Sequence, residues 1–253
     1  MDPDIKDVIW SFEREIPNGQ KPSVAWNLDV VLRFLRSEEY EPVNSLSLLR
    51  LTKKTLFLVT LALAKRVSEI QALSCNVGFS AQGAHVSLLP HFRAKNDNLC
   101  KGLPRFFAIK SLTELVGPEE EACLCPVRAL KTYLARIQGE VGKAHPHLFV
   151  SPRNPKLPLS KNGISYFLRT LIREAHVNIN VDNFPVLKVK LHEVRAVTTS
   201  VNFKKNLSLE SVMLAAQWRC NSVFAAHYLK DIEIPYESCK SLGPFVVTGA
   251  VIA

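Results

Sequence analysis

The sequence has no CxxC pair and no regular cysteine framework: its six cysteines, Cys75, Cys100, Cys123, Cys125, Cys220 and Cys239, are scattered along 253 residues. That scatter excludes the disulfide scaffold of a small secreted protein and fits a reducing, intracellular setting. Cys123 and Cys125 stand too close together, with too little histidine nearby, for a zinc knuckle. Long apolar runs are missing too. The longest, residues 55–64, is too short to cross a bilayer, and the acidic, polar residues 1–7 are unlike a secretory leader. There is no acidic cluster to hold a catalytic metal, no internal repeat and no low-complexity tract. No membrane, metal or cofactor is therefore expected.

What is present is an ordinary globular composition, 47% hydrophobic and 22% charged, in a chain long enough to bury a sizeable core. The net charge of +9 is concentrated in two places. Residues 91–110 carry +4 and residues 186–230 carry +5, which leaves the remainder balanced. Localised positive charge suits a polyanion, and DNA is the usual one. Basic residues also solvate exposed faces, so charge alone leaves both readings open.

The hydrophobic pattern predicts a mostly helical α+β fold with one small sheet. Leu28, Val31, Leu32 and Leu35 recur at helical spacing over residues 27–37. Residues 38–44 read as a linker. Thr52 is a candidate cap for a long apolar helix over residues 53–73. Short strands are expected at 84–89 and 105–109, joined by a polar connection containing Asn96, Asp97, Asn98 and Gly102. Pro126 opens a helix to residue 137. Residues 147–150 read as a further short strand or a turn into the proline-rich loop 151–158, and Ser160 caps a helix to residue 175. A last helical cluster covers 191–205, 209–217 and 222–230, followed by an irregular tail.

Four places carry residues suited to chemistry on an anion. Arg66 and Glu69 lie three apart at the polar end of the apolar helix, so the carboxylate can orient the guanidinium; the plainer alternative is a surface ion pair. His192 and Arg195 share one helical face inside the more basic segment. Lys95 sits on the polar strand connection, with nothing local to rank it above Lys101. Trp218 precedes Tyr228 by ten residues, and Phe224 with Tyr228 also fits the apolar stripe of a core helix.

Taken in order, Arg-x-x-Glu after an apolar helix, a hairpin lysine, His-x-x-Arg, Trp and a late Tyr resemble the tyrosine recombinases, the family of the phage integrases. Tyr228 falls 33 residues after Arg195, close to that family's separation. The resemblance is closest to the recombinases of DIRS-type and Ngaro-type retroelements of animals. It is carried by Lys65-Arg66-Val67-Ser68-Glu69-Ile70-Gln71-Ala72-Leu73, by Cys125-Pro126-Val127-Arg128-Ala129-Leu130, by residues 223–229 and by Ser241-Leu242-Gly243-Pro244. It runs from about residue 20 to the C-terminus.

The resemblance implies a catalytic domain over residues 45–231 with a three-stranded antiparallel sheet. Residues 1–44 would be a remnant of a core-binding domain, and 232–253 a tail. It implies Tyr228 as nucleophile, Arg66 and Arg195 as clamps on the phosphate, and Lys95 as general acid. His192 would assist proton transfer, Trp218 would donate its indole N–H, and Glu69 would support Arg66. Arg93, Lys101, Lys204, Lys205 and Arg219 are candidate contacts to the DNA backbone. The implied partner is double-stranded DNA, with a tetramer assembled on it, in the nucleus. Two other functions fit the same residues: a non-catalytic DNA-binding module derived from a mobile element, and a type IB topoisomerase-like activity.

Overall fold

Residues 51–63 are buried on every side, so the helix that carries them is the axis of the fold. A helix buried around its whole circumference has to sit in a core. The computed structural model describes residues 26–93, 106–112, 122–141, 145–178, 189 and 192–204. Among them the helices are α1 (Leu28–Arg36), α2 (Leu48–Leu63), α3 (Val67–Gln71), α4 (Pro126–Val141), α5 (Lys161–Asn178) and α6 (His192–Lys204). The strands are β1 (Gly78–Phe79), β2 (Gly83–Ser87), β3 (Phe106–Lys110), β4 (Val150–Ser151) and β5 (Asn154–Pro158). Helix α2 packs against α4, α5 and α6, and α1 lies on α5. The protein is thus a mostly helical α+β domain with a three-stranded antiparallel sheet, in the order β1-β2-β3. No described helix is long and apolar enough to cross a membrane.

Both lysines that α2 buries find a partner across the core. Lys53 reaches the Glu174 carboxylate on α5 at 2.7 Å. Lys54 donates to the carbonyls of Leu35 and Tyr40 at 2.8 and 3.0 Å and to Glu41 Oε1 at 2.5 Å. Arg128 of α4 closes on the same Glu41 carboxylate through both of its terminal nitrogens, at 3.1 and 3.0 Å. Burial pushes the Glu41 carboxyl up, but the bonds from Arg128 and Lys54 outweigh it and hold the group below its ordinary range. On Lys54 the balance reverses, because burial outweighs the attraction to Glu41 and the ammonium is held below its ordinary range. This three-residue clamp pins the turn after α1 to α2 and α4.

The sheet explains its own sequence. Ala84 and Val86 of β2, and Phe107 and Ile109 of β3, face the core, and Val86 pairs with Phe107. A Cβ at Gly83 would stand 2.1 Å from the Ile109 carbonyl oxygen, so only glycine allows the strands to meet there. The third strand is β1, ahead of the two that the pattern predicts, and it is only two residues long.

Two expectations are corrected. The helix predicted over 53–73 starts earlier and is broken: Ser47 caps α2, and Thr52 lies inside it, donating to the Leu48 carbonyl at 2.7 Å. The break comes at Ala64, whose φ of 49° is left-handed, so the chain leaves the helix before Lys65 and re-enters one at Val67. The proline-rich loop 151–158 is a hairpin, with Val150 paired to Pro158 and Ser151 to Asn154. A two-stranded ribbon has free edges, which is where a strand tolerates proline. Among the described residues the other predicted elements stand: Asn27 caps α1, Ser160 accepts the Gly163 N–H at 3.0 Å at the start of α5, and Pro126 opens α4; the helices expected at 209–217 and 222–230 lie outside the described residues.

Candidate active site

The break in the apolar helix builds the site. Left-handed backbone at Ala64 turns the chain so that Lys65 and Arg66 are presented between two helices instead of on the flank of one. Arg66 is the N-cap residue of α3, and its backbone N–H is accepted by Glu69 Oε2 at 2.8 Å. This is the back-bonding half of a capping box. The same oxygen lies 4.0 Å from the Arg66 guanidinium. Glu69 is only 2% exposed, so the surface ion pair allowed by the sequence is excluded. The carboxylate is part of the interior, and the Arg66 side chain, 30% exposed, faces outward from it.

Backbone pairing beyond α3 holds this piece in place. The Leu89 N–H donates to the Ala72 carbonyl, and Ser74 N–H to that of Ser87, both at 2.8 Å. Leu148 N–H donates to the Leu73 carbonyl at 2.7 Å. Helix α3 is thereby tied both to the sheet and to the chain that enters β4.

Lys65, just ahead of Arg66, is a further member of the site. It is 4% exposed, and its ammonium stands over the Phe107 ring of β3, 4.2 Å from the centroid, within range for a cation–π contact. Burial pushes Lys65 down to about 8; Glu69 opposes that shift, while Arg195 and Arg66 add to it. Arg195, 129 residues beyond Arg66 in sequence, is therefore close enough to act on the same ammonium, and it is itself 4% exposed. It rides on α6, which packs against α2 and is buried throughout residues 193–201. The hydroxyl of Thr199 bonds back to the Arg195 carbonyl at 2.9 Å. Glu69, Arg195 and Arg66 thus all lie near enough to the Lys65 ammonium to act on its charge, where α2 ends and α3 begins.

Such an arrangement is chemically suited to an oxyanion. Guanidinium groups offer paired N–H donors that match phosphate oxygens, and a low-dielectric setting strengthens their pull. Among the described residues no group of three or more His, Cys, Asp or Glu is placed to hold a metal.

The other predicted site residues are distributed unevenly. His192 opens α6, three residues before Arg195, and Lys204 closes it; their side chains lie outside the described structure. Arg93 is exposed just beyond the loop that follows β2. The connection bearing Lys95 and Lys101 leaves from the β2 side of the sheet and returns in β3, and both lysines fall outside the described residues, as do Lys205, Trp218, Arg219 and Tyr228. The structure brings Arg66, Glu69 and Arg195 together and adds Lys65. The signal for Lys65 was its place at the end of an apolar helix beside Arg66, but a Lys-Arg pair reads as surface charge.

No family model matches this sequence, and no curated protein matches it. Among solved structures, the chain is similar to that of a crystal structure of a lambda integrase (75–356) dimer bound to a COC′ core site, with 15% sequence identity and a TM-score of 0.46. The likeness covers 87% of this chain and 65% of that one, so the chain spans less than two-thirds of its solved counterpart. Likeness at that level assigns no role to any residue.

Proposed function

We propose that this chain is the catalytic domain of a tyrosine recombinase that cleaves and rejoins DNA through a 3′-phosphotyrosyl intermediate at Tyr228. Its sequence character is closest to the recombinases of DIRS-type and Ngaro-type retroelements. The observation that carries the reading is the meeting of Arg66 and Arg195, far apart in sequence, around one buried lysine and one buried carboxylate. Two guanidiniums that both act on one buried ammonium suit a single bound oxyanion better than two separate surface ion pairs.

In this reading Arg66 and Arg195 hold the non-bridging oxygens of the scissile phosphate and stabilise the charge that grows there in the transition state. The Tyr228 hydroxyl attacks phosphorus in line. The bond to the 5′-oxygen breaks, and the bond energy is kept in the phosphotyrosyl ester for religation. His192 takes the tyrosine proton, and Lys95, with Lys101 as the alternative, supplies one to the leaving 5′-oxygen. Trp218 donates its indole N–H to the phosphate, while Glu69 keeps Arg66 in place. Arg93, Lys101, Lys204, Lys205 and Arg219 track the flanking backbone. Double-stranded DNA is the substrate, four copies assemble on it, and the nucleus is the compartment.

A duplex nicked near the scissile phosphate tests this, because the cut strand diffuses away and traps the covalent intermediate. Wild type is expected to form a covalent protein–DNA adduct, and Tyr228→Phe to form none. DNA binding without any adduct would leave a binding module in place of an enzyme. An adduct that survives Tyr228→Phe would move the nucleophile elsewhere.

A further inference from the structure

Lys65 has no part in the mechanism just given, yet it is buried as deeply as Arg195, each 4% exposed. A buried ammonium is costly unless its surroundings stabilise the charge. Here the Phe107 ring and Glu69 favour the charged form, while Arg66, Arg195 and burial oppose it. A bound oxyanion would change that balance. It would offset the two guanidiniums, and its own charge would favour an ammonium beside them.

We propose that Lys65 is a proton-linked third cation of the phosphate site: set on the Phe107 ring beside Arg66 and Arg195, it takes a proton from solvent as an oxyanion binds and returns it when the anion leaves. The inference rests on the phosphate-clamp reading of the two arginines. Lys65 is a positioning residue in this scheme. It acts on the phosphate through the field it shares with Arg66 and Arg195, and contact with the anion is left to the guanidiniums. A site of this kind grips its substrate more firmly at neutral pH than in alkali, and loosens without any change of fold.

Binding reverses the linkage in a defined direction. A lysine already held near the bottom of its range, at about 8, is partly neutral in the empty site just above neutrality. An anion that restores part of its ordinary basicity therefore binds with net proton uptake, and its affinity falls as pH rises through that region.

Inorganic sulfate is the appropriate probe, because its charge stays fixed between pH 6.5 and 9.5 while that of phosphate does not. Its affinity is read from the sulfate-dependent rise in unfolding temperature, with chloride holding ionic strength constant. Wild type is expected to bind sulfate about tenfold more weakly at pH 9.5 than at pH 7, the change that one unit of lysine shift produces. Lys65→Met, which keeps the length and apolar stem, should bind at pH 7 as weakly as wild type does at pH 9.5, with no pH slope. Arg195→Ala should lose the sulfate effect.

A flat wild-type profile overturns the proposal, and that measurement stands even if Lys65→Met does not fold. So does a Lys65→Met profile with the wild-type slope. The nicked duplex, run in parallel, separates this inference from the reading beneath it. A sulfate slope without a covalent adduct removes the strand-cleavage reading and keeps the proton-linked site. An adduct without a slope does the reverse.

Discussion

Glu69 Oε2 accepts the backbone N–H of Arg66 at 2.8 Å and also stands 4.0 Å from the Arg66 guanidinium. One buried carboxylate therefore fixes the main chain of Arg66 and biases the direction of its side chain. The two roles separate on substitution. Glu69→Gln keeps an oxygen for the N–H and gives up the charge, whereas Glu69→Ala gives up both. We expect Glu69→Ala to lower stability by about 1–2 kcal/mol, the range of a lost helix cap, and Glu69→Gln to lower it by less. Both should slow adduct formation. Equal losses in thermal unfolding for the two variants would show that the cap contributes little.

Ala64 makes a second prediction. A left-handed alanine costs roughly 1–2 kcal/mol, and this one is fully buried. Glycine would remove the strain but lose a buried methyl group and gain unfolded-state entropy. These terms nearly cancel, so Ala64→Gly should change stability by no more than about 1 kcal/mol. Ala64→Val adds a β-branch to backbone that excludes it, and should be far more disruptive. Chemical denaturation of both variants checks the contrast. A large loss on Ala64→Gly would mean that the methyl packing, and not the turn, holds this junction.

The clamp of Lys54, Glu41 and Arg128 should appear in the acid limb of stability. The Glu41 carboxyl is held below its ordinary value of 4.5 in the fold, so its contribution is complete above that value. It is lost as pH falls through the lower, folded one. Lys54, also held below its ordinary range, by burial, likewise makes stability rise with pH, but only in the range just below the ordinary lysine value, and contributes no acid limb. Glu41→Gln should therefore destabilise the protein by roughly 3 kcal/mol at pH 7, as expected when one partner of a buried ion pair is removed. It should also flatten the decline below about pH 4.5. Urea midpoints from pH 7 to pH 3 test both points, and parallel profiles for the two proteins would count against the clamp.

Sequence and structure agree where local chemistry decides. Asn27, Ser160 and Pro126 mark helix starts with their own side chains or ring, and the alternation of Ala84, Val86, Phe107 and Ile109 marks the sheet. They part where distant residues decide. The break at Ala64 carries no glycine or proline, so the apolar pattern runs straight through it. Three prolines hide the β4–β5 ribbon, because its tolerance for proline comes from being unpaired on its outer edges. The burial of Lys65 depends on Phe107, 42 residues downstream, and no window around Lys65 contains that information. Arg66, Glu69 and Arg195 were legible only as members of an ordered set, since each alone fits an ordinary ion pair.

Arg195 separates the two meanings of that set. If it were only a core ion-pair residue, any cation of similar reach would serve, and Arg195→Lys would behave like wild type. If it clamps a phosphate, lysine keeps the charge but loses the planar pair of donors. Loss of one preorganised donor in an anion-stabilising site costs on the order of a hundredfold or more in rate. We therefore expect Arg195→Lys to fold cooperatively, within about 2 kcal/mol of wild type as ordinary single substitutions do, while forming the nicked-duplex adduct at least about a hundredfold more slowly. Arg195→Ala should form none and still unfold in one transition. Unfolding of Arg195→Ala together with wild-type rates in Arg195→Lys would assign the residue to the core alone. The converse pair would tie its burial on α6 to the chemistry, because a guanidinium so enclosed, so near Lys65 and Arg66, is then being held for an anion.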